Sequence, residues 1–316
     1  MTHRWKPMVL AAVLAAISGS AAAQMAYFDP KDYGQTDLLP RESTGNASTY
    51  IAANKGAFEP IRELPLDNPI RQMALAVGRV DLLSEGPDGT RGLGTCTGSV
   101  LPGGWVITNH HCIPGHDGHT LLAASILIGY LRQGEEDNNR YRLSVNPSDW
   151  HEFLDFSLVR LTDVPPDVTP LDFVETHVDP GDSLMVIHHP LGRPQVMTRF
   201  RCFADKTQED GPILRHRCDT QPGSSGSILF DRQMRPVALH HSGGMTETDD
   251  SSFNKSTRIS AILAQSDLLR DIAAQGRDQG HAAPSRPAES VRPANPSNGL
   301  GAPMSAGGIN DLLRGN

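Results

Sequence analysis

The 316-residue sequence predicts an all-β fold, a sandwich or a pair of barrels, with one helix near the end of its core. Two observations carry the strands and the helix. From residue 73 the chain becomes a succession of short apolar runs bounded by Gly, Pro, Asn and Asp, the pattern of strands separated by turns. Only STRISAILAQSDLLRDIAAQ repeats its apolar residues at helical spacing. A third observation bears on domain count. Aromatic residues make up 5% of the chain, against 30 Gly and 24 Pro, so one turn-rich core with poorly structured ends is expected rather than two dense cores.

Taken in order, the chain opens with His3, Arg4 and Lys6 ahead of the apolar run MVLAAVLAAI, followed by small residues at Ala21 and Ala23. This is the layout of a secretory signal peptide cut before Gln24, and residues 1–23 are assigned to it. No later stretch reaches the roughly 18 apolar residues of a spanning helix, so no membrane association is expected. Residues 24–69 are polar, punctuated by Pro and aperiodic, and read as a pro-segment or flexible leader. Residues 70–275 form the folded domain. Its predicted strands include MALAVGRVDLL, GTCTGSVL, GWVITN, LLAASILIGYL, YRLSVN, FSLVRL, DSLMVIHH, VMTRFRCF, ILRHRC, GSILF and PVALHH. Residues 276–316 are rich in Pro, Gly, Ala and Ser, cannot bury enough apolar surface to offset their ordering entropy, and are expected to be disordered.

The net charge of −8 disfavours a general nucleic-acid binder, which needs a basic face. Four cysteines in an exported chain point to two disulfides, with three connectivities open.

Chemistry concentrates in three motifs. NHHCIPGHDGHT (109–120) packs four histidines and a cysteine into twelve positions. A zinc site drawn from His110, His111, Cys112, His116 and His119 is one reading, but neither an H-E-x-x-H nor a paired C-x-x-C pattern accompanies it. QPGSSGSILF (221–230) sets a serine between glycines, which suits a nucleophile on a tight turn where backbone N–H groups converge. LDFSLVRL offers an acid between the two.

Taken together, CTGSVL…VITNHHC, then DFSLVRL, then PGSSGS, resemble the trypsin-like serine proteases of the chymotrypsin fold, over roughly residues 70–270. The resemblance implies two six-stranded antiparallel β-barrels with a C-terminal helix. It makes His111, rather than His110, the base, Asp155 the acid and Ser225 the nucleophile, with the N–H groups of Gly223 and Ser225 as oxyanion hole. It pairs Cys96 with Cys112, which leaves Cys202 with Cys218. CTGS, HHC, IHHPLG, QPGSSGS and LHHSGG are closer to the bacterial glutamyl and lysyl endopeptidases than to animal trypsins. Ser224 stands where trypsins carry an Asp, and Ser227 and Ile228 where they carry Gly and Pro.

For the S1 pocket two readings stay open. Asp219 falls where trypsins hold the acid that receives Lys or Arg, whereas Thr220 and His240 match the residues that receive a substrate glutamate in glutamyl endopeptidases. A lysyl-type acid would come from Glu247, Asp249 or Asp250. The expected function is secreted serine endopeptidase, a monomer acting on protein or peptide, with no cofactor and no metal. A non-catalytic secreted binding protein on the same scaffold is the alternative.

Overall fold

Short aliphatic runs between turns produce strands throughout the computed structural model, which describes residues 26–38, 57–115, 118–134, 139–166, 168–246, 249 and 251–278. All of these lie in the first of the chain's two units, residues 1–284. The signal-peptide assignment and nearly all of the C-terminal tail fall outside the described residues.

The leader supplies the first two strands, β1 (Ala26–Phe28) and β2 (Glu59–Pro60), and a short helix α1 (Pro69–Ala74) follows. The strands β3 (Val77–Glu85), β4 (Arg91–Leu101), β5 (Trp105–Thr108), β6 (Thr120–Ile128), β7 (Arg140–Leu143), β8 (Asp149–His151) and β9 (Phe156–Arg160) then build the first sheet. Its order is β7-β6-β3-β4-β5-β9-β8, with β1 added on β4. The sheet closes on itself where Leu143 bridges Leu161 and the Ser144 N–H donates to the Arg160 carbonyl. Six strands thus make a barrel, to which β8 and β1 are appended. Val80, Val100, Val106, Ile126 and Val159 fill it, together with Cys96 and Cys112.

The second sheet uses β10 (Met185–His188), β11 (Val196–Thr198), β12 (Ile213–His216), β13 (Ile228–Phe230), β14 (Pro236–Ser242) and β15 (Asn254–Arg258) in the order β12-β15-β14-β13-β10-β11-β2. Bridges from Ser183 to Phe203 and from Ala204 to His216 close it, again leaving six strands around one interior, with Leu184, Val186, Leu214, Leu229 and Val237 inside. The expected pair of six-stranded antiparallel barrels is therefore what forms. Both disulfides, Cys96–Cys112 and Cys202–Cys218, pair as the resemblance implied.

A third apolar cluster joins Ile107, Phe156 and Leu158 of the first barrel to Ile187, Ile228 and Leu239 of the second, with Ile259, Ile262, Leu269 and Ile272. The latter four belong to two helices, α2 (Ile259–Gln265) and α3 (Asp267–Asp278), where the sequence predicts one. Ser266 breaks the run: its backbone is extended, and its hydroxyl accepts the Leu269 N–H (2.9 Å), the bond of an N-cap residue that starts a new helix. The periodicity continues across the break because both helices lie on the same apolar seam.

Candidate active site

β5 ends at Thr108, and the turn that follows carries His111. Its ring Nδ1 donates to Asp155 Oδ2 (2.7 Å), and its backbone N–H donates to Asp155 Oδ1 (3.0 Å). Both oxygens of one carboxylate therefore fix both the position and the tautomer of one imidazole. Asp155 sits immediately before β9 in the left-handed region (φ 47°), which Asp and Asn adopt more readily than other non-glycine residues. The Asn109 side-chain amide donates to the Asp155 carbonyl (2.7 Å) and holds that conformation. Burial pushes the Asp155 carboxyl up, but the hydrogen bonds and charge of His111 outweigh it and hold the group below its ordinary value.

The serine turn and the histidine turn are both fastened to β4. Ser225 donates nothing from its backbone to the described residues, but its carbonyl accepts the Thr97 N–H (2.7 Å), and Thr97 follows the cysteine that is bridged to Cys112, next to His111. Neither the Gly223 nor the Ser225 N–H is spent on an acceptor among the described residues, so both stay available to a developing oxyanion. Ser224 is buried, and its hydroxyl accepts the Gln221 N–H and shares a hydrogen bond with His188 (2.8 Å). Ser224 and His188 thus form a neutral, buried pair directly beside Ser225.

Gly226 completes the turn at φ 86°. A Cβ there would overlap the Thr97 carbonyl oxygen, a backbone atom, and the Thr108 hydroxyl, which is hydrogen-bonded to that same carbonyl. Gly226→Ala is expected to lower unfolding stability by more than about 2 kcal/mol, from backbone strain and overlap together, read as a shift in urea midpoint.

The zinc reading of the histidine motif does not fit the donors. Cys96, His111 and Cys112 lie close together, but both sulfurs are spent in a disulfide and offer no thiolate. His110 stacks on the Trp150 ring (4.6 Å), His119 lines a surface cavity of about 550 Å³, and His116 lies outside the described residues.

Residues 92–239 match the profile of the trypsin-like peptidase domain. This trypsin-like segment begins in β4, contains His111, Asp155 and Ser225, and stops one residue short of His240. Among solved structures similar to the chain are those of the Rv3671c protease of M. tuberculosis. An inactive-form serine-to-alanine mutant is 17% identical, with 66% of this chain and 92% of that chain covered and a TM-score of 0.47. The inactive and active forms are each 18% identical, with 66% of this chain covered, 94% and 85% of theirs, and the same TM-score. No curated protein matches the chain.

Of the residues considered for S1, Asp219 and Thr220 lie inside the matched segment and His240, Glu247, Asp249 and Asp250 beyond it. The Asp219 carboxylate accepts the Ala57 N–H of the leader (2.9 Å). The Thr220 hydroxyl accepts from the Asn254 amide (3.1 Å), which also donates to the Cys218 carbonyl, while its own oxygen accepts the N–H groups of Gly244 and Met245. Asn254 thereby ties the 218–220 segment to the 244–245 segment. His240 is buried against His216. Glu247 and Asp250 lie outside the described residues, and Asp249 caps its own loop through Ser251.

Four of these contributors have no sequence signal. Thr97, Asn109 and Asn254 are ordinary polar residues until the fold brings them to the site. His241 is the extra residue at a register shift between His240 and Ser242, and lies close enough to Asp155 for the carboxylate to act on it.

Proposed function

We propose that the chain is an exported serine endopeptidase acting on protein or peptide as a monomer. The observation that carries this is the doubly bonded His111–Asp155 pair, with Ser225 on a glycine turn bonded to β4, the strand to which a disulfide ties the His111 turn. Ser225 Oγ attacks the scissile carbonyl as His111 takes its proton. The oxyanion accepts the N–H groups of Gly223 and Ser225, and His111 returns the proton to the leaving amine. Water then hydrolyses the acyl-enzyme by the same route in reverse. Two disulfides fit an oxidising compartment, and no helix among the described residues is long and apolar enough to cross a membrane.

Labelling with a fluorophosphonate tests the reading without presuming a substrate. An adduct on Ser225, absent from Ser225→Ala, is expected by peptide mass spectrometry. Folded, disulfide-bonded protein that takes no adduct contradicts it.

For specificity, the pocket supports the glutamyl-type reading. The Asp219 carboxylate already accepts the Ala57 N–H of the leader. The Cys218 N–H donates to His216 Nδ1 (3.3 Å), which leaves the His216 proton on Nε2, donating to His240 Nδ1 (3.1 Å). His240 then keeps its own proton on Nε2, a donor for a carboxylate. His240→Leu is expected to lower kcat/KM for substrates with Glu at P1 by about 10- to 100-fold, the worth of a charge-assisted hydrogen bond, and to change P1 Gln substrates less. A preference for P1 Lys or Arg would reverse this assignment.

A further inference from the structure

Residues 26–38 are packed far more thoroughly than a removable leader requires. β1 pairs with Leu93–Thr95 of β4, and Phe28 and Leu38 make a small core of their own with Leu93. The Asp37 carboxylate accepts the Tyr130 hydroxyl (2.6 Å) and the Gly134 N–H (2.7 Å). The carbonyls of Gln35 and Thr36 are taken by Arg79 (2.9 and 2.6 Å), and Gln35 also by Arg140 (3.0 Å).

Arg79 connects this segment to the site. Its guanidinium is fully buried, with its charge met by both oxygens of Asp81 (2.7 and 2.9 Å). The nitrogen that donates to Thr36 also donates to the Gly192 carbonyl (2.9 Å). A planar group with five donors can hold three carbonyls and a carboxylate at once. Phe28 supports the same point: Gly192 is at φ 65°, and a Cβ on it would lie 3.1 Å from the Phe28 ring.

The turn containing Gly192 is the bed of the oxyanion loop. The Leu191 N–H donates to the Pro222 carbonyl (2.6 Å). A Cβ on Gly223 would lie 2.8 Å from the His189 carbonyl and 3.2 Å from the backbone nitrogens of Leu191 and Gly192, so the two segments are in direct backbone contact. The Thr97 hydroxyl accepts the His189 N–H and donates to the Gly223 carbonyl. His189 itself bonds the Arg193 carbonyl (2.9 Å) and stacks near Tyr130, the residue that holds Asp37.

We propose that residues 26–38 are a retained positioning element of the oxyanion loop, acting through Arg79 on the Leu191–Gly192 turn. No residue of the segment is required to touch substrate; its effect is on the angle at which the Gly223 N–H is presented. The proposal rests on the serine-peptidase reading and adds to it a part of the chain outside the trypsin-like match.

The test compares the full-length exported chain with one lacking residues 26–38, after circular dichroism and thermal unfolding have established that each is folded. Three quantities are read: kcat and KM on a peptide substrate, affinity for a peptide aldehyde whose hemiacetal oxygen needs the oxyanion hole, and affinity for the product acid. The deletion is expected to lower kcat and aldehyde affinity together by about 10- to 100-fold, short of or equal to the loss of one oxyanion donor. KM and product affinity should stay within about twofold, and the synthetic peptide 26–38 added in trans should restore both. A folded deletion with kcat and aldehyde affinity within about twofold of full length overturns the proposal.

If the deletion does not fold, Arg79→Lys keeps a charge for Asp81 but cannot span Thr36, Gln35 and Gly192 together. A parallel loss of kcat and aldehyde affinity of at least about 5-fold, with product affinity unchanged, supports the proposal. No loss, or an equal loss of aldehyde and product affinity, overturns it. Full-length protein that takes no fluorophosphonate on Ser225 rejects the peptidase reading itself, an outcome visible before any variant is made.

Discussion

Ser225→Ala is expected to lower kcat by about 10⁶-fold and Asp155→Asn by about 10⁴-fold, both in protein that remains folded. The sizes are those of Ser-His-Asp triads in general; the reason they apply here is geometric. On the proposed mechanism, removing the Ser225 hydroxyl removes the nucleophile, and it costs little stability because the turn is held by backbone bonds to Thr97 and His240. Asp155→Asn is the sharper test. Asn tolerates the left-handed backbone at this position as Asp does, and its oxygen can still accept the His111 N–H. Its amide then faces His111 Nδ1, where the carboxylate oxygen now lies at 2.7 Å. Two donors cannot share that contact, so the ring must move its proton to Nε2, the nitrogen that has to accept from Ser225. Tm within a few degrees of the parent, with burst kinetics and fluorophosphonate labelling both slowed about 10⁴-fold, is the expected record. Loss of activity no greater than about tenfold in folded Asp155→Asn would mean that Asp155 does not orient the base.

The strand positions were legible because each barrel strand is a short apolar run ended by a residue that breaks it, and the three motifs stand in the order in which the barrels present them. Other features depend on contacts that no local pattern records. Residues 26–38 and 57–60 look like a polar, proline-punctuated leader because their order comes from elsewhere: β1 from β4, β2 from β11, and the intervening carbonyls from Arg79 and Arg140. Ser266 is an unremarkable polar residue inside a helical period, and only its hydroxyl bonds to Leu269 and Asp149 reveal that one predicted helix is two. The face that His241 occupies depends on a one-residue register shift, which reverses the side a residue takes and leaves no trace in composition. His188 and His189 are ordinary members of an apolar run in the sequence, and both are fully buried in the wall behind the serine turn.

Lowering the pH from 6.5 towards 4.5 is expected to unfold the protein, because its histidines are buried as neutral rings. Burial, and then the neighbouring His189 and His216, push His188 down to about 3. Burial pushes His189 to about 4, with Arg79 adding to the effect and the Arg193 carbonyl opposing it. Burial and His241 push His216 to about 3. His241 falls to about 4 by burial, against the attraction of Asp155, and His240 is lowered well below its ordinary value by burial and its histidine neighbours. In the unfolded chain each of these rings takes a proton near pH 6.5. Below that pH the unfolded state binds more protons than the folded one, so stability is fully present above about 6.5 and is lost as the pH falls towards the folded values. Each ring contributes up to about 1.4 kcal/mol per pH unit. Five acting together would exhaust a net stability of about 5–15 kcal/mol within roughly two units. Asp155 acts with the same sign at lower pH: its folded value lies below 3.8, so its stabilisation goes only as the pH falls through that value, after the histidines have acted. Urea midpoints measured from pH 7.5 to 4.5 should therefore drop steeply below 6.5, and His188→Gln, which keeps hydrogen-bonding groups but does not titrate, should reduce the slope by up to about 1.4 kcal/mol per pH unit. A midpoint that stays level between pH 6.5 and 5 would mean that these rings gain protons without unfolding, and that the wall behind the serine turn opens to water.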